Sequence, residues 1–383
     1  MTQTRNMLAV SAVLLTALLS QAAPMESPIS PNQFTTGSDS DRIEAAIAEA
    51  LKTGVNCVQI PRINRQTGKR MWLIDRAILL PSEFTLQLND CFVRLAPGVQ
   101  DNIISNAGSR QEPIAGNRNI HIIGRGLPVL SGGVSAHYKR PGDRNGWRTI
   151  GILFYGTTHF TIEGLQIQEP HAWSISLEHG CAHGRIANID FQCSNKYPNQ
   201  DGVDLRKGCH DILIENITGV TGDDTIALTG LRGRKPTPDR KPMQIGGYEP
   251  TENDDIYNVI IRNVKTRVSG GHHIVRLLNH DGIKLYNIFI TNVMDTSTSK
   301  QKRAKAGVKI GDRGYSSMGL NQLGETYNIF IDNVVSRAQN VVLIQGTLKN
   351  ATLRNIIGHD GNSHLVQKGS MPTENVIIDA HQF

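Results

Sequence analysis

A short phrase, apolar-x-apolar-x-Asn-apolar, recurs along most of this chain and constrains its fold more than any other feature. It reads Ile212-Leu213-Ile214-Glu215-Asn216-Ile217, Val259-Ile260-Ile261-Arg262-Asn263-Val264, Ile288-Phe289-Ile290-Thr291-Asn292-Val293 and Ile329-Phe330-Ile331-Asp332-Asn333-Val334, with degenerate copies near Thr161, Ile186, Thr352 and Val376. Between the copies runs a second series of short apolar segments: Trp173 to Leu177, Gly202 to Leu205, Thr225 to Leu228, Ile274 to Leu278, Val308 to Ile310, Val341 to Ile344 and His364 to Val366. Where nothing is inserted the interval is roughly 22 to 26 residues, the span of one repeat unit that cannot bury its own apolar face. Stacking such units makes a continuous core, with parallel ladders about 4.8 Å apart. A leucine-rich horseshoe has a similar period, but its regularly placed leucines are missing. The expected fold is therefore all-β: a right-handed parallel β-helix with two or three strands per coil.

The beginning of the chain reads differently. Arg5, the apolar run Met7 to Leu19 and the small residues at Ser20 to Ala23 have the layout of a secretory signal peptide over residues 1–23. The apolar run is too short to span a bilayer. This predicts an exported chain, secreted or periplasmic, whose residues 24–383 form a single β-helix domain. Residues 41–52 carry the one convincing helix, with Asp41 as cap, Glu44 completing a capping box, and Ile43, Ala46, Ile47, Ala50 and Leu51 on one face. A helix followed only by strand-like segments suits a cap on the end of a solenoid.

A formal net charge of +6 favours an anionic partner. No nucleic-acid-binding motif accompanies it, so an acidic polysaccharide or oligosaccharide is expected, with neither nucleic acid nor membrane as partner and the chain a monomer. Five cysteines permit two disulfides, with Cys57–Cys91 and Cys181–Cys193 the pairs suggested by proximity and Cys209 left over. Cys and His do not cluster as a zinc site requires, and no metal or cofactor is assigned. Irregular inserts break the period at Pro113 to Trp147, Arg232 to Asp255, Asp295 to Lys305 and Gly311 to Glu325, and several are basic. Loops of this size on a regular scaffold usually carry function.

The chemistry-bearing cluster lies where Asn199-Gln200-Asp201-Gly202-Val203-Asp204-Leu205 meets the next coil, Thr221-Gly222-Asp223-Asp224-Thr225-Ile226-Ala227-Leu228. Pairing Val203 with Ile226 and Leu205 with Leu228 sends all four apolar side chains inward, and a one-residue slip sends them out. That register stacks Asp201 over Asp224 with Asp223 beside them. Three crowded acids raise one another's pKa, a cost that glycoside hydrolysis can use. Asp223, keeping its proton, would be the general acid, while Asp201 and Asp224 would share the attacking water. A calcium site or a structural Asp ladder would use the same residues differently.

The ordered set of Asn-Gln-Asp-Gly-Val-Asp, Gly-Asp-Asp, Ser269-Gly270-Gly271-His272-His273 and Gly307-Val308-Lys309-Ile310 resembles glycoside hydrolase family 28, the polygalacturonases and rhamnogalacturonases of the pectin-lyase-like β-helix superfamily. The opening helix and the strand Val58-Gln59-Ile60-Pro61 are similar too, so the likeness covers most of the mature chain. It implies glycosidase activity without a cofactor, with the family's three acids at Asp201, Asp223 and Asp224 and substrate contacts near Asn199. Two motifs depart. Gly-His-Gly reads Gly-His-His, so that motif matching selects His272, whereas placing His273 over Asp224 buries Val275 and Leu277 and turns Arg276 outward. Arg-Ile-Lys reads Lys309-Ile310-Gly311, which keeps one of the two cations that bind the substrate carboxylate; Arg276, in the same outward column as Lys309, is the candidate replacement. The competing functions are a polysaccharide lyase using Lys309 or Arg276 as base, and a non-catalytic glycan-binding β-helix.

Overall fold

The computed structural model describes residues 27–133, 149–231, 253–280, 282–313, 320–359, 361 and 363–382. The expected leader at residues 1–23 lies outside them, as do residues 134–148, 232–252 and 314–319 of the inserts. The chain winds as a right-handed parallel β-helix, all strand pairs within its two sheets being parallel, with one sheet of 14 strands and one of 10. Each turn contributes a long strand to the first sheet, such as His210–Thr221 or Ile256–Val268, and a short one to the second, such as Val203–Arg206 or Ile226–Gly230. The second sheet runs Val203–Arg206, Ile226–Gly230, His273–Asn279, Ala306–Ile310, Asn340–Ile344 in adjacent order. Among the described residues no helix is long and apolar enough to cross a membrane.

The alternation that suggested strands becomes the core. Val203, Leu205, Ile226, Leu228, Val275, Leu277, Val308, Ile310 and Val342 stack inward and are fully buried. The Asn of the repeated phrase has a separate job. Asn216, Asn263, Asn292 and Asn333 all take φ between 56 and 58, the left-handed region that bends the long strand and that Asn tolerates better than most side chains. Their amides also bond from coil to coil: Asn263 donates to Asn216 at 3.0 Å, Asn292 to Asn263 at 3.0 Å and Asn333 to Asn292 at 2.8 Å. A second ladder runs beside it, with Asn258 donating to Asp211, Asn287 to Asn258 and Asn328 to Asn287. Flanking that ladder, His210, Tyr257, Tyr286 and Tyr327 stack ring on ring.

Two expectations are corrected. The helix spans Asp39–Thr53 and its cap is Ser38, whose hydroxyl accepts from the Asp41 N–H while Asp41 reaches back to the Ser38 N–H. Asp41 is thus the third residue of the box rather than its cap, and Glu44 is drawn off to pair with Arg76. Ile43, Ala46, Ile47 and Ala50 are buried as expected, but Leu51 is 46% exposed. The cysteines are all free. Cys181 and Cys193 flank opposite ends of the strand Ala182–Gln192; Cys181 bonds instead to the carbonyls of Phe154 and Glu178, and Cys193 lies near the Ser174 hydroxyl. Cys57 leads the first strand, Cys57–Ile60, whose parallel partner is Phe84–Asn89. Cys91 lies between Phe84–Asn89 and Phe92–Leu95, and the latter strand pairs instead with Met71–Ile74.

Candidate active site

The site grows out of the second sheet at its strand entries. Val203 pairs with Ile226 and Leu205 with Leu228, and on the next coil Ile226 pairs with Val275 and Ala227 with Arg276. Followed back two residues, this register puts Asp201, Asp224 and His273 in one column on successive coils, with the Gly202 N–H donating to the Asp224 carbonyl at 3.0 Å. Gly202 is required for so close a stacking, since a Cβ there would meet the Thr225 carbonyl oxygen at 2.4 Å and the Phe191 ring. The Gly222 and Asp223 N–H groups donate to the Gln200 carbonyl, and Gln200 is anchored by its side chain to Glu169 and the Pro170 carbonyl.

Both histidines enter the site, each against a different acid. His273 is 4% exposed; its Nδ1 lies 2.8 Å from Asp224 Oδ1, and its backbone N–H donates to the same oxygen at 2.9 Å. His272 Nδ1 lies 3.0 Å from Asp223 Oδ1 at the cleft surface. The ambiguity between them is thus one of pairing. Arg276 points outward as the alternation requires, with Nη1 3.3 Å from Asp224 Oδ2. Lys309 follows it on the next coil.

The buried acids are driven in opposite directions. Burial, reinforced by Asp204, Asp223 and Asp224, pushes Asp201 well above the usual carboxylate range. Asp204 is also driven up, by burial above all. Burial acts on Asp224 too, but hydrogen bonds from His273 and the charge of Arg276 outweigh it and hold Asp224 at about 2. His273 is lowered, burial prevailing over its Asp224 partner. Asp201 and Asp204 are therefore the carboxyls that burial drives towards the protonated form, while Asp223 stands at the cleft surface.

A cleft of about 560 Å³ opens over this column, and Asn199, Asp223, His272, His273, Arg276 and Lys309 line it, so it gathers most of the expected site residues. Five further lining residues were not singled out from the sequence for the site itself: Asn195, Lys196, Pro198, Lys305 and Asp312. Asp312 accepts from Arg276 Nη2 at 2.9 Å and from Lys309 Nζ at 2.7 Å. Its position three residues after Lys309 was the one available signal. The basic run at residues 300–305 divides: Lys302 donates to the Gly270 carbonyl and Arg303 to the carbonyls of Arg337 and Ala338, while Lys305 faces the cleft. The other basic run, Arg232 to Lys241, lies outside the described residues.

Asp223, Asp224 and His272 bring ligand atoms within 4.8 Å of one another, close enough to hold a cation. The surroundings fit poorly: Asp224 Oδ1 already accepts from His273, and the Arg276 guanidinium stands against Oδ2. A second such group, His183, His210 and Asp211, lies on the other sheet. The arrangement suits proton transfer, with two buried carboxyls driven towards the protonated form, one held low beside His273, and a fourth at the cleft surface beside His272.

No protein-family profile matches the sequence, and no curated protein does. Solved structures do match. An exopolygalacturonase from Thermotoga maritima superposes with a TM-score of 0.59 at 14% identity, over 92% of this chain and 92% of that one. A polygalacturonase from Erwinia carotovora ssp. carotovora gives 0.54 at 13%, over 91% and 95%. The tailspike protein of E. coli bacteriophage HK620 in complex with pentasaccharide gives 0.54 at 14%, over 92% of this chain and 66% of the tailspike. The chain shares its fold, a right-handed parallel β-helix, with these two polygalacturonases and this tailspike.

Proposed function

We propose that this protein is an exported glycoside hydrolase that cleaves glycosidic bonds in a pectin-like or other acidic polysaccharide by an inverting, two-carboxylate mechanism without a metal. The observation that carries the reading is the Asp201–Asp224–His273 column beneath the cleft, with Asp223 and His272 at its surface. Asp224, ionised and oriented by His273, takes the proton of the attacking water. Asp201, protonated because it is buried, donates a hydrogen bond that fixes this water. Asp223 reaches the leaving oxygen as general acid, and His272, 3.0 Å away, reprotonates it for the next turnover. Attack by a held water from the face opposite the acid inverts the anomeric carbon. A lyase would need Arg276 or Lys309 as a free base, and both are tied to Asp312. The fold neighbours named as polygalacturonases support the substrate class, and the tailspike, in complex with a pentasaccharide, supports a glycan ligand.

The test is Asp223→Asn, assayed for new reducing ends on a panel of pectic and other acidic glycans. Removal of a general acid is expected to lower turnover roughly a hundredfold to ten-thousandfold, with the circular dichroism spectrum unchanged. The wild type should produce reducing ends without the ultraviolet absorbance of an unsaturated sugar. Full hydrolytic rate in Asp223→Asn would overturn the mechanism, and a binding-only protein would show no reducing ends at all.

A further inference from the structure

Asp312 changes what the cation pair of this cleft can bind. Arg276 and Lys309 stand in one outward column, and in an open cleft they would attract the carboxylate of a uronic acid. Here Asp312 occupies both: its Oδ2 is 2.9 Å from Arg276 Nη2 and 2.7 Å from Lys309 Nζ, and the remaining Arg276 amino group faces Asp224. Arg276, Lys309 and Asp312 are each less than one-sixth exposed, so solvent screens the arrangement little. Gly311, at φ 74, turns the chain immediately after the strand Ala306–Ile310 and so delivers Asp312 back over Lys309; a Cβ there would collide with Gly346 at 2.2 Å.

A second observation points the same way. His273 sets its Nδ1 against Asp224, and its Nε2 is buried without a partner in a ring that lines the cleft; burial biases this imidazole towards its neutral form, in which Nε2 accepts. A sugar hydroxyl can donate to it. An ionised carboxylate has no hydrogen to give, and it would meet the carboxylates of Asp224 and Asp312 beyond.

We propose that Asp312 is a specificity-determining residue: by standing in for a substrate carboxylate it makes the subsite over Arg276, Lys309 and His273 accept a sugar ring whose exocyclic group is uncharged. This rests on the hydrolase reading for its consequence in catalysis, but not for its consequence in binding. The exposed Lys196 and Lys305 at the cleft rim remain for acidic units elsewhere on the polymer. An uncharged ring could be a neutral hexose or an esterified uronate, and both present the same chemistry to Asp312.

The experiment measures Kd by calorimetry and release of reducing ends for three ligands of one length and linkage: an oligogalacturonate, its methyl ester and its carboxyl-reduced form. Wild type is expected to bind at least one uncharged form at least tenfold more tightly than the free acid, the ester and reduced arms telling the two sources apart. Asp312→Asn should shift that ratio at least tenfold towards the free acid, and Asp312→Glu should restore the wild-type order; thermal melts confirm that both variants fold. A wild type that prefers the free acid, or a ratio unmoved by Asp312→Asn, overturns the proposal, as does failure to bind all three. Tight binding of an uncharged form without cleavage would sink the hydrolase reading and leave the subsite assignment standing.

Discussion

Asp201 and Asp224 occupy the same position on successive coils, and their opposite protonation follows from their neighbours. Asp224 has His273 and Arg276 against it, whereas Asp201 Oδ1 is buried with no partner. A carboxyl raised by folding costs stability at neutral pH, because the unfolded chain releases its proton and the folded chain resists doing so; the cost vanishes once pH falls below the unfolded value near 3.8. Asp201→Asn should therefore raise the melting temperature at pH 7 while abolishing turnover. The gain should shrink towards zero near pH 4, and an equal gain at both pH values would contradict the assignment. Asp224 works in the opposite sense: its contribution is intact above about 3.8 and is lost as pH falls through about 2. The column itself was legible in the sequence, because inward Val and Leu leave one register that buries them all. Asp312 was not, since its place depends on a turn at Gly311 that strand alternation cannot encode.

At the level of strands and turns, the repeated Asn shows why a pattern is legible before its cause. Periodicity revealed that Asn216, Asn263, Asn292 and Asn333 recur, but only the backbone reveals that each sits at a left-handed bend and bonds to the next coil. Asn292→Ala should cost about 2–3 kcal/mol in urea unfolding, from two amide bonds of about 1 kcal/mol each and the strain of a left-handed Ala. Asn292→Gly should cost about 1 kcal/mol less, since Gly takes the bend freely. Equal losses would mean that the bend carries no strain. The helix cap was misread for a related reason: Ser38, Asp39, Ser40 and Asp41 all accept backbone hydrogen bonds, and the choice among them is made by Arg76 and the coil beneath, which lie far off in sequence.

Over the whole molecule, stability comes from the stacked interior, and the cysteines belong to it as small apolar side chains. Cys91, Cys181, Cys193 and Cys209 are buried, and burial pushes the Cys91 and Cys193 thiols up to about 12. Such thiols have almost no thiolate at neutral pH and should not react with an aromatic disulfide reagent in the native state. In denaturant all five should react, the count that the chain contains; fewer would mean a bridge. Counting cysteines in a chain expected to be exported suggested two bridges because small exported domains often depend on them. A long coil stack buries enough apolar surface to manage without. It follows that assembly of this solenoid consumes no oxidant: polypeptide made in a reducing cytosol and polypeptide passed through an oxidising compartment should melt at the same temperature, and dithiothreitol should leave that temperature where it was.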